Sequence, residues 1–200
     1  DEAETFLHEL GHALHGILSR ATYNVQAGTS VETDFVEAPS QMFEEWARKS
    51  ETLNILNEVC KECPKMSEEL ITRLNSARRF GRGLFYGRQW LYAMFDMQLN
   101  GEVPASALTI WQRLESGTPL GYALGTSFPG NFEHVAGGYA AGYYGYMWSE
   151  TLALDFVSQW GNNLLDADMG KRFRDLVLAR GGEAPAMEYV RQFLGREPSN

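Results

Sequence analysis

The stretch FLHELGHALHG, residues 6–16, carries three histidines in one short apolar run, with a glutamate directly after the first. Around it Phe6, Leu7, Leu10, Ala13, Leu14, Ile17 and Leu18 recur at helical spacing, which predicts a helix over residues 2–19. On such a helix His8 and His12 stand at i and i+4, about 40° apart around the axis and roughly 6 Å along it, so both imidazoles can reach one ion. The pattern is H-E-x-x-H. Glu9, one position past His8, is set beside a metal held by the two histidines without ligating it, where a carboxylate can take a proton from metal-activated water.

A catalytic zinc takes three protein ligands and keeps one position open. His15 is seven residues after His8, about 10 Å further along the axis and too far to share the ion, so it is read as packing or as a hydrogen bond behind a ligand. The extended pattern H-E-x-x-H-x-x-G-x-x-H fails as well, because its glycine and last histidine positions hold His15 and Leu18. The third ligand should therefore be a carboxylate. VETDFVEAPSQ, residues 31–41, offers Glu32, Asp34 and Glu37 on a segment that a short loop with Gly28 would fold back against the first helix. Spacing alone does not choose among them.

The remaining chain is helical by the same reading. Two hundred residues, 44% hydrophobic and 12% aromatic, suffice for a substantial core, and no repeat or linker divides them, so one mostly α-helical unit is expected. Thr33 is a candidate cap for a helix through DFVEAPSQMFEEWA, with Pro39 bending its start or moving it forward. Ser67 begins a long helix or helix pair that runs to Gly101, and further helices read at 105–116, 143–160, 169–180 and 185–194. Only TYNVQ, residues 22–26, hints at a strand.

Charge and composition exclude several classes of function. Seventeen Lys+Arg against 26 Asp+Glu give a net charge of −9, which disfavours a phosphate backbone or an anionic membrane surface as partner. The longest apolar runs, such as WLYAMF at 90–95, fall far short of the roughly 20 residues that span a bilayer. Cys60 and Cys63, in CKEC, are too few for a disulfide scaffold; they are read as two free thiols in a loop of a protein from a reducing compartment. The basic stretch RRFGRGLFYGR, residues 78–88, is read as a solvated helix face.

A second constellation lies near the C-terminal third. In FEHVAGGYAAGYYGYMWSE, residues 132–150, Tyr139, Tyr143, Tyr144 and Tyr146 alternate with Gly137, Gly138, Gly142 and Gly145, and His134 stands just before them. Glycines permit close backbone approach, and phenols can donate to a forming oxyanion. All four histidines of the chain fall in this motif or the first, as though both face one site.

FLHELGHALHG, GTSVETDFVEAPSQMFEEW and FEHVAGGYAAGYYGYMWSE together resemble the thimet oligopeptidase and neurolysin family of zinc peptidases, which includes bacterial oligopeptidases and dipeptidyl carboxypeptidases. The likeness runs through nearly all 200 residues, to FLGREP. It implies a helical catalytic lobe of zincin type, with little or no sheet, belonging to a longer two-lobed enzyme whose N-terminal part is absent and whose channel admits short unstructured peptides. It also implies one Zn2+ held by His8, His12 and Glu37, with Glu9 as general base. His134, Tyr139, Tyr143 and Tyr146 match the family's substrate-binding and transition-state-stabilising residues, with Gly137 and Gly138 in the binding loop and Tyr146 as oxyanion donor; Tyr144 is read as structural. The expected location is the cytoplasm, an organelle remaining open because a targeting segment would lie upstream. The rival expectation is a non-catalytic peptide-binding domain that retains the zinc site.

Overall fold

The structure is a computed structural model that describes residues 2–102 and 105–199. It is built from nine α-helices joined by turns, with no strand among the described residues. The helices are α1 (Glu2–Ile17), α2 (Glu37–Glu44), α3 (Ser50–Val59), α4 (Glu68–Arg79), α5 (Arg82–Leu99), α6 (Ala107–Ser116), α7 (Gly145–Ser158), α8 (Ala167–Phe173) and α9 (Ala186–Leu194). The mostly helical expectation therefore holds, but the backbone, expected as one unit, divides into two compact ones, residues 1–79 with 148–200 and residues 80–147.

The first unit carries the larger core. Phe35, Ala38 and Met42, from α2 and the turn before it, pack with Phe156 of α7, Phe173 of α8 and Phe193 of α9, all at most 2% exposed. The three phenylalanines from α7, α8 and α9 meet edge to face at centroid distances of 5.2–5.5 Å, the arrangement favoured by the ring quadrupole. The second unit has its own core of Leu91, Phe95, Ile110, Trp111 and Phe132. Arg88 stacks over Tyr92 and Trp111 at its margin while pairing with Glu115 at 2.7 Å. This part of the basic stretch is thus tied down, although Phe80 and its neighbours remain exposed.

Several local expectations are corrected. TYNVQ forms a 3-10 turn over Asn24–Gln26, closed by Gln26 N–H to Tyr23 O and Ala27 N–H to Asn24 O; too few residues extend to pair a strand. Thr33 caps nothing. α2 starts at Glu37 after a turn in which the Phe35 and Val36 amides donate to Glu32 O, and Val36 at the cap position already has helical angles. Pro39 then sits at the third helical position, where its missing N–H has no intrahelical partner to lose. Helix α3, unforeseen, follows a short 3-10 extension of α2. Residues 67–101 form two helices, α4 and α5, as the second of the two readings had it, and beyond α8 the chain continues as a π-helical turn over Arg174–Leu178. Cys60 and Cys63 are not free thiols: they form a disulfide, since the turn after α3 brings their Cα atoms to 5.3 Å.

Candidate metal centre and tyrosine loop

Helix α1 can reach α2 only because residue 11 has no side chain. A Cβ built on Gly11 would lie 2.6 Å from the Ser40 Cα and 3.1 Å from the Phe43 ring. The chain returns from α1 to α2 through Gly28, which adopts a left-handed φ of 58° and comes so close to Gly16 that an added Cβ would sit 2.8 Å from its Cα. These two contacts, one inside the H-E-x-x-H motif and one in the expected fold-back loop, seat Glu37 opposite the histidines.

The resulting cluster is compact. His8 Nε2 lies 3.2 Å and His12 Nε2 3.1 Å from the same oxygen, Glu37 Oε2. The two imidazoles meet edge to face, with ring centroids 4.9 Å apart. One ligand atom from each of His8, His12 and Glu37 lies within 4.8 Å of the others, so these three residues could hold a metal ion. Glu37 is buried, 4% exposed, and the Ser40 hydroxyl stands 3.0 Å from its Oε2 and 2.9 Å from its carbonyl oxygen, able to donate to either. Hydrogen bonding to Glu37 first, and then to Glu44, pushes the His8 imidazole up to about 9. Glu9 is exposed on the adjacent flank of α1.

The other carboxylates of 31–41 are not part of this group. Glu32 accepts from the Ala186 amide at 3.1 Å and so caps the start of α9. Asp34 receives the Ser149 hydroxyl on its backbone carbonyl at 2.7 Å, and its carboxylate is not in the His8–His12 group. His15 packs, as one of the two readings had it: it is fully buried, neither ring nitrogen has a hydrogen-bond partner among the described residues, and burial depresses its pKa to about 4. Sequence reasoning did not find Glu44, whose Oε1 lies 2.8 Å from His8 Nδ1. Its seven-residue spacing from Glu37, two helical turns, was the available signal.

In the second unit the tyrosine loop is an aromatic cluster around His134. Its ring lies 5.8 Å from Tyr139, 5.1 Å from Tyr143 and 5.6 Å from Tyr146, each at nearly a right angle. Tyr139 stacks on Tyr146 at 5.9 Å and an angle of 9°. Tyr144 is 40% exposed. The loop is organised from beneath by Asp96 of α5, a fully buried carboxylate that accepts from the Ala141 amide at 2.9 Å, the Tyr143 amide at 3.0 Å and Asn100 Nδ2 at 3.1 Å. Ala141 takes a left-handed φ of 58°, the one such non-glycine among the described residues. Tyr143 donates its hydroxyl to Gln89 Oε1 at 2.9 Å, and burial raises its pKa to about 12. Gly137 and Gly138 are exposed, and an added Cβ would meet no close contact at either.

The sequence profile of Peptidase family M3 matches residues 1–200. The chain belongs to this family. Saccharolysin of Saccharomyces cerevisiae is 38% identical over 208 residues, covering all of this chain and 29% of that protein. A thimet-like oligopeptidase of Dictyostelium discoideum is 34% identical over all of the chain and 31% of its own length. The dipeptidyl carboxypeptidase of Escherichia coli is 32% identical over 99% of the chain and 30% of its own length. The M3 chain thus spans about a third of the length of these curated relatives.

Proposed function

We propose that the M3 chain carries the catalytic centre of a zinc-dependent oligopeptidase that hydrolyses peptide bonds in short unstructured peptides. The observation that supports this most is the convergence of His8, His12 and Glu37 on one point. Their donor set, two imidazole nitrogens and one carboxylate oxygen, is that of a catalytic zinc with an open position. The 3.1 and 3.2 Å separations also approach the edge, about 3.4 Å, of a zinc tetrahedron with bonds of about 2.1 Å. When bound, zinc polarises the scissile carbonyl and lowers the pKa of water.

The chain's own residues supply the rest. Glu9, one position past a ligand and exposed, takes the proton from the attacking water and passes it to the leaving amine. His134, Tyr139 and Tyr143, with the Gly137–Gly138 backbone, bind peptide, and the Tyr146 hydroxyl donates to the oxyanion as it forms. Tyr143, with its hydroxyl engaged by Gln89, contributes chiefly its ring and its support of Tyr146, 5.1 Å away. The partners proposed are peptides and the remainder of a two-lobed enzyme. No helix among the described residues is long and apolar enough to cross a membrane. A cytoplasmic location is proposed, and a relative assigned by name to chloroplast or mitochondrion keeps an organelle in view.

Zinc content and peptide hydrolysis, measured on the same preparations, test the assignment. Glu9→Gln should keep its zinc and lose hydrolysis by at least about 100-fold. Glu37→Ala should lose zinc as well, and Glu32→Ala should keep both. Equal zinc loss in Glu9→Gln and Glu37→Ala would contradict these roles, and a wild-type protein that binds zinc and peptide without turnover would establish the non-catalytic alternative.

A further inference from the structure

We infer that Glu44 and Arg48 are positioning residues for the metal centre, Glu44 fixing the ring orientation and tautomer of His8 and Arg48 fixing Glu44. The inference rests on the reading of His8, His12 and Glu37 as metal ligands. Two stripes of side chains face each other across the α1–α2 contact. On α1, Glu4, His8 and His12 follow at four-residue intervals; on α2 and its 3-10 extension, Glu37, Glu44 and Arg48 follow at seven and four. Both spacings keep the residues on one helix face, and Gly11 brings the faces together.

The cross-links between the stripes alternate donor and acceptor without a break. An ionised carboxylate can only accept, so the 2.8 Å contact of His8 Nδ1 with Glu44 Oε1 places the ring proton on Nδ1. That leaves Nε2, the atom turned toward Glu37, as the nitrogen whose lone pair would ligate once a metal replaces the proton it shares with Glu37. The second oxygen of Glu44 accepts from Arg48 Nη2 at 3.0 Å, so the carboxylate is held at both ends and cannot swivel away from His8. Arg48 in turn donates from Nε to Glu4 Oε1 at 2.9 Å and pairs with Glu45 through Nη1. One planar guanidinium therefore serves three carboxylates and ties α1 to α2, a task that a lysine's point charge does not reproduce. Glu4 is also paired with Arg78 of α4 at 3.0 Å. These side chains are 15–35% exposed, so water screens their attraction and geometry is the larger part of what they provide.

The chain predicts an effect that fades with distance from His8. Zinc affinity is measured by competition with a chelator, apo-protein melting gives stability separately, and 15N spectra of the labelled zinc-free protein at alkaline pH, where the ring is neutral, give the His8 tautomer. Glu44→Ala should weaken zinc binding about 10- to 100-fold and release the His8 proton from Nδ1, with the His12 signals unmoved. Glu44→Gln, which keeps an acceptor and removes the charge, should fall between Glu44→Ala and the wild type while retaining the tautomer. Arg48→Met should weaken binding by less than Glu44→Ala, Arg48→Lys should not restore it, and Arg78→Met should stay within twofold of the wild type. If Glu44→Ala does not fold, Glu44→Gln decides alone. A wild type that binds one zinc together with Glu44 variants within twofold of it, or an unchanged His8 tautomer in Glu44→Ala, overturns the inference. A merely structural role would lower the apo melting temperature and leave affinity and tautomer alone. A wild type that binds no zinc overturns the metal reading itself, and the inference with it.

Discussion

The two histidine-bearing regions of the molecule achieve order by different means. His8, His12 and Glu37 stand on helices, their spacing set by the helical repeat and their approach by the missing side chain of Gly11. His134, Tyr139 and Tyr146 stand on turns and on the first residues of α7, and their order comes from a carboxylate some forty residues earlier, Asp96, which gathers the Ala141 and Tyr143 amides. A helix-borne site carries its geometry in its own sequence. A loop-borne site borrows it.

That difference can be broken from either side. The largest effect should come from Asp96→Ala, which strands two amide donors beneath the tyrosine loop and removes the support for the left-handed turn at Ala141. We expect a loss of about 4 kcal/mol in the unfolding of residues 80–147, read by urea denaturation, and displaced Tyr143 and Tyr146 ring signals in NMR spectra. Unmoved ring signals would show that the loop holds itself. Gly11→Ala comes next, at about 3 kcal/mol, because the new methyl meets backbone at Ser40 rather than a yielding side chain. It should also weaken zinc binding by parting α1 from α2, and normal affinity with normal stability would refute the close-approach argument.

A smaller effect sharpens the comparison through pH. His15 is fully buried on α1, the helix that carries His8 and His12, and burial lowers its pKa from 6.5 to about 4. The fold therefore favours the neutral ring. Its stabilising share is complete above the unfolded value of 6.5 and is lost as pH falls toward about 4, at up to about 1.4 kcal/mol per pH unit. Between pH 6.5 and 5 the wild type should lose about 2 kcal/mol that His15→Leu does not lose. Equal slopes in urea titrations of the two proteins over this window would remove His15 as the cause.

Legibility followed the same division. The H-E-x-x-H helix, the helical class and the grouping of tyrosines could be read from residues 6–16 and 132–150, because periodicity and composition are local. Glu37 could not be separated from Glu32 and Asp34 by spacing, and the structure shows why: Glu32 faces the start of α9, a partner more than 150 residues away. Glu44 was missed because a carboxylate in an acidic helix looks like a solvated one until its histidine is in view. Helix α3 escaped because its residues 50–59, SETLNILNEV, carry few strong signals and follow the 3-10 turn directly. The Cys60–Cys63 bridge depends on how the chain turns after that same helix, which no pairwise spacing specifies.

The first unit is discontinuous in sequence, and that has a consequence for how the protein is made. Its Phe35, Ala38 and Met42 have no Phe156, Phe173 or Phe193 to bury against until residues 80–147 have been synthesised. At roughly 5–20 residues per second that wait is on the order of several seconds, long compared with helix formation and collapse. During it, half a core stands exposed. All three proposed ligands, however, lie on α1 and α2, within residues 8–37, and the two contacts that bring them together, at Gly11 and at Gly28, are both made within the first 43 residues. A zinc ion captured at that stage would clamp the two helices together and shield the nascent half-core, acting as a folding template well before it could act on any peptide.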